Sequence, residues 1–250
     1  MERLSLAISI GNTNIHFGLF KNKSIVQKFI IPTYDYNVKK LLGKLNRFNI
    51  DKAVICSVVP QYTKILKKDL KEQLSISHHL VIGENFAVPI KNLYRYPNKL
   101  GKDRLVNAYA AMSLYGAPCI VIDLGTALTF DIVSKNKEYL GGMILPGLNT
   151  SLRALSTNTA LIPSIKLTLP DEFIGQDTKN SVLSGLINGF AALIEGLTKK
   201  IKRQLGYNAK VIATGGDIKF ISIYTRAIDK IDQNLTLKGL NLLLINNYKV

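Results

Sequence analysis

Four short glycine-containing segments, each after an apolar and strand-like run, are the first candidates for chemistry. A ligand can approach the backbone of such a turn closely, because no Cβ stands in the way, and its N–H groups can bind phosphate oxygens. Each one alone is more commonly a plain turn, and none forms a Walker A loop or a GxGxxG fingerprint. Together they predict a nucleotide site of another kind. They are Gly11-Asn12-Thr13, Gly125-Thr126, Gly141-Gly142 and Thr214-Gly215-Gly216.

A second candidate region is residues 94–104, which read YRYPNKLGKDR. Its last two residues, Asp103 and Arg104, stand just before a predicted helix over residues 105–114. An aspartate at a helix N-terminus is usually a structural cap, and an arginine beside it is usually a surface charge. The functional alternative is a carboxylate that accepts a proton from a substrate hydroxyl, beside a guanidinium that binds an acidic or phosphorylated ligand.

The third candidate is Asp123, which ends the apolar run CIVID. A carboxylate at the end of a buried strand is costly unless a cation or hydrogen-bond donors compensate its charge. This cost favours a functional role for Asp123 over a purely structural one.

An internal repeat indicates which elements position these candidates. Residues 4–20 read LSLAISIGNTNIHFGLF, and residues 119–133 read CIVIDLGTALTFDIV. Both combine an apolar run, a glycine turn and a second run with the period-two alternation of a strand. The repeat predicts a β-hairpin at the start of each half, and hence two similar domains, residues 1–117 and 118–250, that face each other across a cleft.

The rest of the pattern alternates strands with helices, which predicts the α/β class. Apolar residues at helical spacing indicate helices over 37–48, 61–74 and 179–204 and a terminal helix from about Thr236. Asp177 or Thr178 is expected to cap the long helix. Further strands are predicted over 25–30, 52–57, 80–82, 138–145 and 209–213.

Composition excludes several classes of protein. Of the 250 residues 47% are hydrophobic, which is enough for sizeable cores. No apolar run reaches the roughly 18 residues that a membrane helix needs. We see no signal peptide at the start, and two cysteines cannot make a disulfide framework. We therefore expect a cytoplasmic protein without membrane contact.

The net charge of +16 raises the question of a nucleic-acid partner, because 33 basic residues oppose 17 acidic ones. The basic residues occur singly or in pairs, and no run of five or more like charges is present. A solvated surface with scattered lysines is therefore the favoured explanation, and nucleic acid remains a partner only under an alternative function.

The chain resembles the type III pantothenate kinases, members of the actin, Hsp70 and sugar-kinase superfamily. The resemblance implies two ribonuclease H-like domains of the actin and sugar-kinase type with a nucleotide cleft between them. It also implies a homodimer that transfers the γ-phosphate of ATP to pantothenate, the first step of coenzyme A biosynthesis, with Mg²⁺ and a monovalent cation, K⁺ or NH₄⁺. The matching segments follow the family's order between residues 8 and 216: IGNTNIHFGLF, YRYPNKLGKDR, VIDLGTALTFDIV, YLGGMILPGL, NTALIP, IGQDT, SGLINGF and VIATGG.

Carried over to this sequence, the resemblance implies a role for each candidate. Asp103 would be the general base on the pantothenate hydroxyl, and Asp123 would bind the monovalent cation. Thr178 would reach toward the pantothenate site of the partner subunit. The other residues that bind pantothenate would be Tyr94, Gly101, Lys102 and Arg104. The ATP and phosphate site would comprise Ser9, Gly11, Asn12, Thr13, Gly125, Thr126, Thr214, Gly215 and Gly216.

One position departs from the family pattern. The family's first loop reads Asp-x-Gly-Asn-Thr, whereas this chain has Ser9 at the aspartate position. That aspartate is expected to hold the metal near the transferred phosphate, and loss of a charged catalytic group commonly costs a factor of ~10²–10⁴ in rate. Asp131 and Asp217 are the nearest carboxylates by sequence that could substitute for it. In the second loop, Leu128 replaces the usual smaller residue.

Three functions remain open from the sequence. The first is a pantothenate kinase, possessing full or impaired activity. The second is a catalytically degenerate relative that acts as a regulatory or transcription accessory factor with an acidic or nucleic-acid partner. The third is a sugar or acyl-group kinase of the same superfamily, which the YxxPxxxGxDR segment disfavours. Release of ADP with and without pantothenate, together with salt-dependent DNA binding, would distinguish them.

Overall fold

The computed structural model describes residues 3–247 and divides into two compact units. Unit 1 combines the chain up to Ala110 with a C-terminal segment that begins at Asn234, and unit 2 is Ala111–Gln233. The α-helices are α1 (Val38–Leu45), α2 (Pro60–Gln73), α3 (Lys102–Tyr115), α4 (Leu148–Asn158), α5 (Thr178–Leu205), α6 (Ile218–Ile221) and α7 (Leu235–Asn247).

Unit 1 is built on a five-stranded sheet in the order β3-β2-β1-β4-β5. Strands β1 to β3 pair antiparallel, whereas β4 pairs parallel to β1 and β5 pairs parallel to β4. Apolar residues of β1, β2 and β4 form the core with α1 and α2. The strands are β1 (Leu4–Ile10), β2 (Asn14–Lys21), β3 (Ser24–Pro32), β4 (Ile50–Ser57) and β5 (His79–Val81), and a short strand β6 (Lys91–Asn92) follows them.

Helix α7 packs against the sheet and α3 although it lies far from them in sequence. The Ser5 hydroxyl of β1 donates a hydrogen bond to the side-chain oxygen of Asn241, 2.8 Å away. A Cβ at Gly239 would lie 2.7 Å from the Cβ of Ala110 on α3, so a glycine allows the two helices to approach closely. These contacts place the C-terminal segment in unit 1, whereas the predicted boundary at residue 117 places it in the second domain.

Unit 2 repeats the same plan, with its strands in the order β9-β8-β7-β10-β11. Strands β7 to β9 pair antiparallel, β10 pairs parallel to β7, and β11 pairs parallel to β10. The shared order and directions agree with the two similar domains that the internal repeat predicts. The strands are β7 (Cys119–Leu124), β8 (Ala127–Val133), β9 (Glu138–Pro146), β10 (Lys210–Thr214) and β11 (Lys230–Ile231).

Helix α5 is the principal helix of the unit 2 core. Asp177 caps its first turn by accepting the N–H of Asn180 at 2.7 Å, and Gly206 ends it in the left-handed conformation. Among residues 3–247, α5 is the one helix long and apolar enough to cross a membrane by those criteria alone. Its residues Ile187 and Ile194 are fully buried in the core cluster of unit 2, which is the arrangement of a core helix.

One predicted turn is wrong. Gly141-Gly142 lies inside strand β9, where it pairs with Ile132 and Asp131 of β8. The pairing register shifts next to this point, and Gly141 has a φ of 120°, so glycine accommodates an irregularity of the strand rather than a chain reversal. The turn that follows β9 contains Gly147 instead.

Candidate active site

Unit 2 brings three turns together at the carboxyl ends of β7, β9 and β10. Gly147, after β9, lies directly against the β7–β8 turn, because a Cβ added to it would stand 2.0 Å from the carbonyl oxygen of Gly125. The carbonyl oxygen of Thr126 accepts two hydrogen bonds, from the N–H of Gly147 at 3.0 Å and from the hydroxyl of Thr150 at 2.7 Å. The contact requires glycine at position 147 and fixes the Gly125-Thr126 turn.

The turn after β10 packs against the end of β7. Gly215 has a φ of 97°, and a Cβ there would stand 2.6 Å from Oδ1 of Asp123 and 2.4 Å from the carbonyl oxygen of Leu124. That carbonyl oxygen accepts the N–H of Asp217 at 3.1 Å. Thr214, which precedes the turn, is buried and pairs with Asp123 across the two parallel strands, and Gly216 is exposed.

A polar side-chain pair completes this edge of the sheet. Asn149, in the first turn of α4, donates from Nδ2 to Oδ2 of Asp217 at 3.0 Å. Burial raises the pKa of Asp217 above its ordinary value, although the hydrogen bond from Asn149 opposes this effect. Sequence reasoning named Asp217 as a spare carboxylate and missed Asn149 and Gly147. The available signal was the Pro146-Gly147 pair directly after a strand.

The corresponding β1–β2 loop of unit 1 is held by a residue that follows β3. Thr33 donates from its N–H to the carbonyl oxygen of Thr13 at 2.9 Å and from its hydroxyl to the carbonyl oxygen of Gly11 at 2.7 Å. The N–H of Gly11 donates to the carbonyl oxygen of Asn14 at 2.9 Å. Asn12 and Thr13 are exposed, so the loop presents a fixed backbone to solvent.

Ser9 stands in a row of three residues across the unit 1 sheet. It pairs with His16 on β2 and with Cys56 on β4. Burial raises the pKa of the Cys56 thiol well above its usual range, and the nearby charges of Asp103 and Lys102 act on it with opposite signs. The charge of the predicted base therefore acts on the thiol of the residue that pairs with the serine of the first loop.

The predicted base, Asp103, is the second residue of helix α3. Oδ1 of Asp103 accepts the backbone N–H of Arg104 at 2.9 Å, and a Cβ at Gly101 would stand 2.7 Å from the same oxygen. Arg104 is buried, with 8% of its surface exposed. The side chain of Lys102 lies against Gly83, where a Cβ would meet Cε of the lysine at 2.8 Å. Glycine at positions 101 and 83 thus allows residues 102–104 to pack closely against their neighbours.

The two remaining predicted residues lie on different units. Tyr94 is half-buried between β6 and α3 in unit 1, and its N–H donates to the side-chain oxygen of Asn92 at 2.9 Å. Thr178 is the exposed first residue of α5 in unit 2. Among residues 3–247 no group of three or more histidine, cysteine, aspartate or glutamate side chains is arranged to hold a metal ion.

Comparison with known proteins decides the family. The family model described as type III pantothenate kinase matches residues 5–200. A protein named type III pantothenate kinase from Finegoldia magna is 37% identical over 256 residues, and the match covers 97% of each chain. The chain belongs to the type III pantothenate kinase family. Type III pantothenate kinases are ATP-dependent enzymes, so this membership also assigns the chain to the kinases and implies that it uses ATP.

Solved structures agree with the predicted fold. A protein from Campylobacter jejuni, described as a Baf family transcriptional activator, shares 25% identity with a TM-score of 0.62 and covers 98% of this chain and 100% of its own. A glucokinase from an Antarctic psychrotroph shares 13% identity with a TM-score of 0.52 over 98% and 99% of the two chains. The second likeness concerns the fold alone and confirms the predicted sugar-kinase type.

For this type III pantothenate kinase the structure therefore describes two groups of predicted residues, each within its own unit. In unit 2 the turns around Asp123 and Gly125 meet at one sheet edge. In unit 1 Ser9 pairs with Cys56 across the sheet, and the charge of Asp103 acts on the Cys56 thiol. The roles of these residues, and the cleft expected between the domains, stay predictions.

Proposed function

We propose that this protein is a pantothenate kinase of the cytoplasm, which transfers the γ-phosphate of ATP to pantothenate as the first step of coenzyme A biosynthesis. The observation that carries the proposal is the Gly101–Arg104 segment, packed at the start of α3 in a chain that matches the family over residues 5–200. The alternative of a degenerate regulatory factor is not favoured, because relatives named as kinases match almost the whole length of the chain.

Asp103 acts as the general base. The N–H of Arg104 holds one carboxylate oxygen, Oδ1, so the other oxygen can accept the proton of the pantothenate hydroxyl. Loss of that proton makes the oxygen a stronger nucleophile toward the γ-phosphorus of ATP, and ADP leaves with the electron pair of the broken P–O bond. Gly101 leaves the space beside Oδ1 free of a side chain.

The buried guanidinium of Arg104 supplies the charge that recognises the substrate. Pantothenate carries a carboxylate, and arginine binds a carboxylate through two parallel hydrogen bonds. Lys102 adds a second positive charge, and Tyr94 and Gly101 complete the pantothenate site from the same unit.

We assign the phosphates of ATP to the predicted glycine turns, because phosphoryl transfer needs positioning and charge neutralisation above all. Oδ1 of Asp123 and the carbonyl oxygen of Leu124 both face the space that a Cβ at Gly215 would fill. Carboxylate and carbonyl oxygens are suitable ligands for a hard cation. We assign the monovalent cation, K⁺ or NH₄⁺, to Asp123, where it would neutralise phosphate charge when bound.

The first loop fits a divalent metal less well. The row of Ser9, His16 and Cys56 offers a hydroxyl, an imidazole and a buried thiol, whereas Mg²⁺ prefers carboxylate oxygens. We therefore assign Mg²⁺ to the nucleotide rather than to the first loop. Ser9 and the backbone N–H groups of Gly11, Asn12 and Thr13 would contact phosphate oxygens directly.

A homodimer is part of the proposal. The segment between α4 and α5 exposes large apolar side chains, with 91% of Leu161, 75% of Phe173 and 78% of Ile174 accessible. Several large exposed apolar side chains in one segment are typical of a protein–protein interface. We assign this segment to the dimer interface, which would bring Thr178, just beyond it, to the pantothenate site of the partner subunit.

Two measurements test these proposals. ADP release, followed by a coupled assay, should depend on pantothenate and should fall about 10³-fold in Asp103→Asn, whereas Glu72→Gln on the exposed face of α2 should not alter it. ADP release at a rate that does not depend on pantothenate would contradict the proposed kinase function. For the interface, the double variant Phe173→Asp with Ile174→Asp should shift the mass measured by light scattering to that of a monomer, and Ile223→Asp should not.

A further inference from the structure

Asp217 and Asn149 form a polar pair that the phosphoryl transfer does not use. The pair lies beside the turns proposed to bind phosphates, because Asp217 follows Gly215 by two residues and Asn149 follows Gly147 by two. Its backbone is fixed, since the N–H of Asp217 donates to the carbonyl oxygen of Leu124 at 3.1 Å. The pair therefore has a defined position next to the phosphate-binding turns.

The hydrogen bond within the pair leaves several polar atoms available. Nδ2 of Asn149 donates to Oδ2 of Asp217 at 3.0 Å. Oδ1 of Asp217 and the amide oxygen of Asn149 make no hydrogen bond to any other residue in the range 3–247. The pair thus offers two acceptors and one remaining amide N–H to a ligand.

The chemistry of the pair selects one part of a nucleotide. A carboxylate repels phosphate oxygens, so Asp217 is unsuited to the phosphates themselves. A cation site would turn the amide oxygen of Asn149 toward the ion together with the carboxylate, whereas here the amide presents its N–H to the carboxylate. Hydroxyl groups are the suitable ligand, because each donates to an acceptor and also accepts from a donor.

We propose that Asp217 and Asn149 bind the ribose hydroxyls of ATP and so select ribonucleotides. Ribose is the part of the nucleotide that adjoins the phosphates, and carboxylates bind ribose hydroxyls in other nucleotide-binding folds. This inference rests on the proposed phosphate site of unit 2, and it adds a specificity-determining residue to the kinase.

The test measures the binding of ADP, 2′-deoxyADP and 3′-deoxyADP by calorimetry in the full-length protein. A hydrogen bond to a charged group is worth a factor of about ten or more in affinity, so the wild type should bind at least one deoxynucleotide about tenfold more weakly than ADP. Asp217→Ala should bind ADP about tenfold more weakly and should no longer distinguish the three ligands. Asp217→Asn should give an intermediate preference, because it keeps one oxygen acceptor.

Two controls separate this role from a structural one. Asp171→Asn removes an exposed carboxylate of the same unit and should leave all three affinities unchanged. Equal weakening of ADP and both deoxynucleotides in Asp217→Ala would show a structural role and overturn the inference, as would a change confined to the Mg²⁺ dependence of binding. A wild type that binds ADP without discrimination overturns the inference alone, whereas a wild type that binds no adenine nucleotide overturns the proposed function with it.

Discussion

The two hairpins of this protein have the same topology but differ in the chemistry at their turns. In unit 2 the strand before the turn carries Asp123. Gly215 packs against this carboxylate, and Gly147 packs against the Gly125-Thr126 turn. In unit 1 the equivalent position is Ser9, and its neighbour on β4 is the buried thiol of Cys56. The two units therefore share the fold, whereas only one of the two hairpins has a carboxylate at this position before its turn.

The packing is also tighter around the turn of unit 2 than around the turn of unit 1. In unit 2, Gly147 and Gly215 approach backbone and carboxylate oxygens so closely that any Cβ would collide with them. In unit 1, a Cβ at Gly11 would lie 3.2 Å from its nearest neighbour, which is a tight contact but not a collision. The turn of unit 2 thus depends on its exact backbone more than the turn of unit 1 does.

The largest effect should come from removing the carboxylate of unit 2. Asp123→Asn should lower kcat by a factor of about 10²–10³, because a neutral amide binds the cation that neutralises phosphate charge more weakly than a carboxylate does. Ser9→Ala, the matched change in unit 1, should alter kcat by less than about threefold. Equal losses of kcat in the two variants would show that both hairpins contribute equally to catalysis and would contradict the difference inferred here between them.

The next effect concerns backbone packing. Gly147→Ala should lower the free energy of unfolding by about 3 kcal/mol, because its methyl group would overlap the carbonyl oxygen of Gly125. Gly11→Ala should cost less than about 1 kcal/mol. Gly43→Ala, on α1 with no atom within 4 Å, should stabilise by about 0.5–1 kcal/mol through helix propensity. Urea unfolding of the three variants measures these changes in the free energy of unfolding and ranks them.

A smaller gain should follow from restoring the family's first loop. Ser9→Asp should raise kcat/KM about tenfold and lower the Mg²⁺ concentration needed for half-maximal rate, because it adds a metal-binding carboxylate. Ser9→Asn has nearly the same shape without the charge and serves as the control. If both variants behave like the wild type, Ser9 is not what limits the rate.

The smallest effect should be a pH dependence of stability that comes from the histidine of the unit 1 hairpin. Burial lowers the pKa of His16 below its ordinary 6.5, so the folded chain binds fewer protons there than the unfolded chain. Its contribution to stability is complete above pH 6.5 and falls as the pH drops through and below that value. Thr129 occupies the corresponding place in unit 2. The melting temperature should therefore fall less between pH 8 and pH 5.5 in His16→Thr than in the wild type.

The sequence predicts the two hairpins well, because alternation and glycine turns are local signals. It also names Asp177 as one of two candidate caps and predicts the bounds of α5 to within one residue at each end. It misplaces the third glycine turn, since the Gly141-Gly142 pair looks like a turn when the pairing of β9 is unknown. Asn149 could not be found in the same way, because its partner Asp217 is far away in the chain and the contact exists only after folding.

The position of α7 has a consequence for how the chain folds during synthesis. Unit 2 is complete in sequence once Gln233 has been made, whereas unit 1 still lacks the helix that packs on β1 and α3. Domains generally fold as units while the chain emerges from the ribosome. We therefore expect the second unit to fold first, and the first unit to fold only after α7 has been synthesised. Chains arrested before residue 234 should show protease-resistant unit 2 beside a protease-sensitive unit 1.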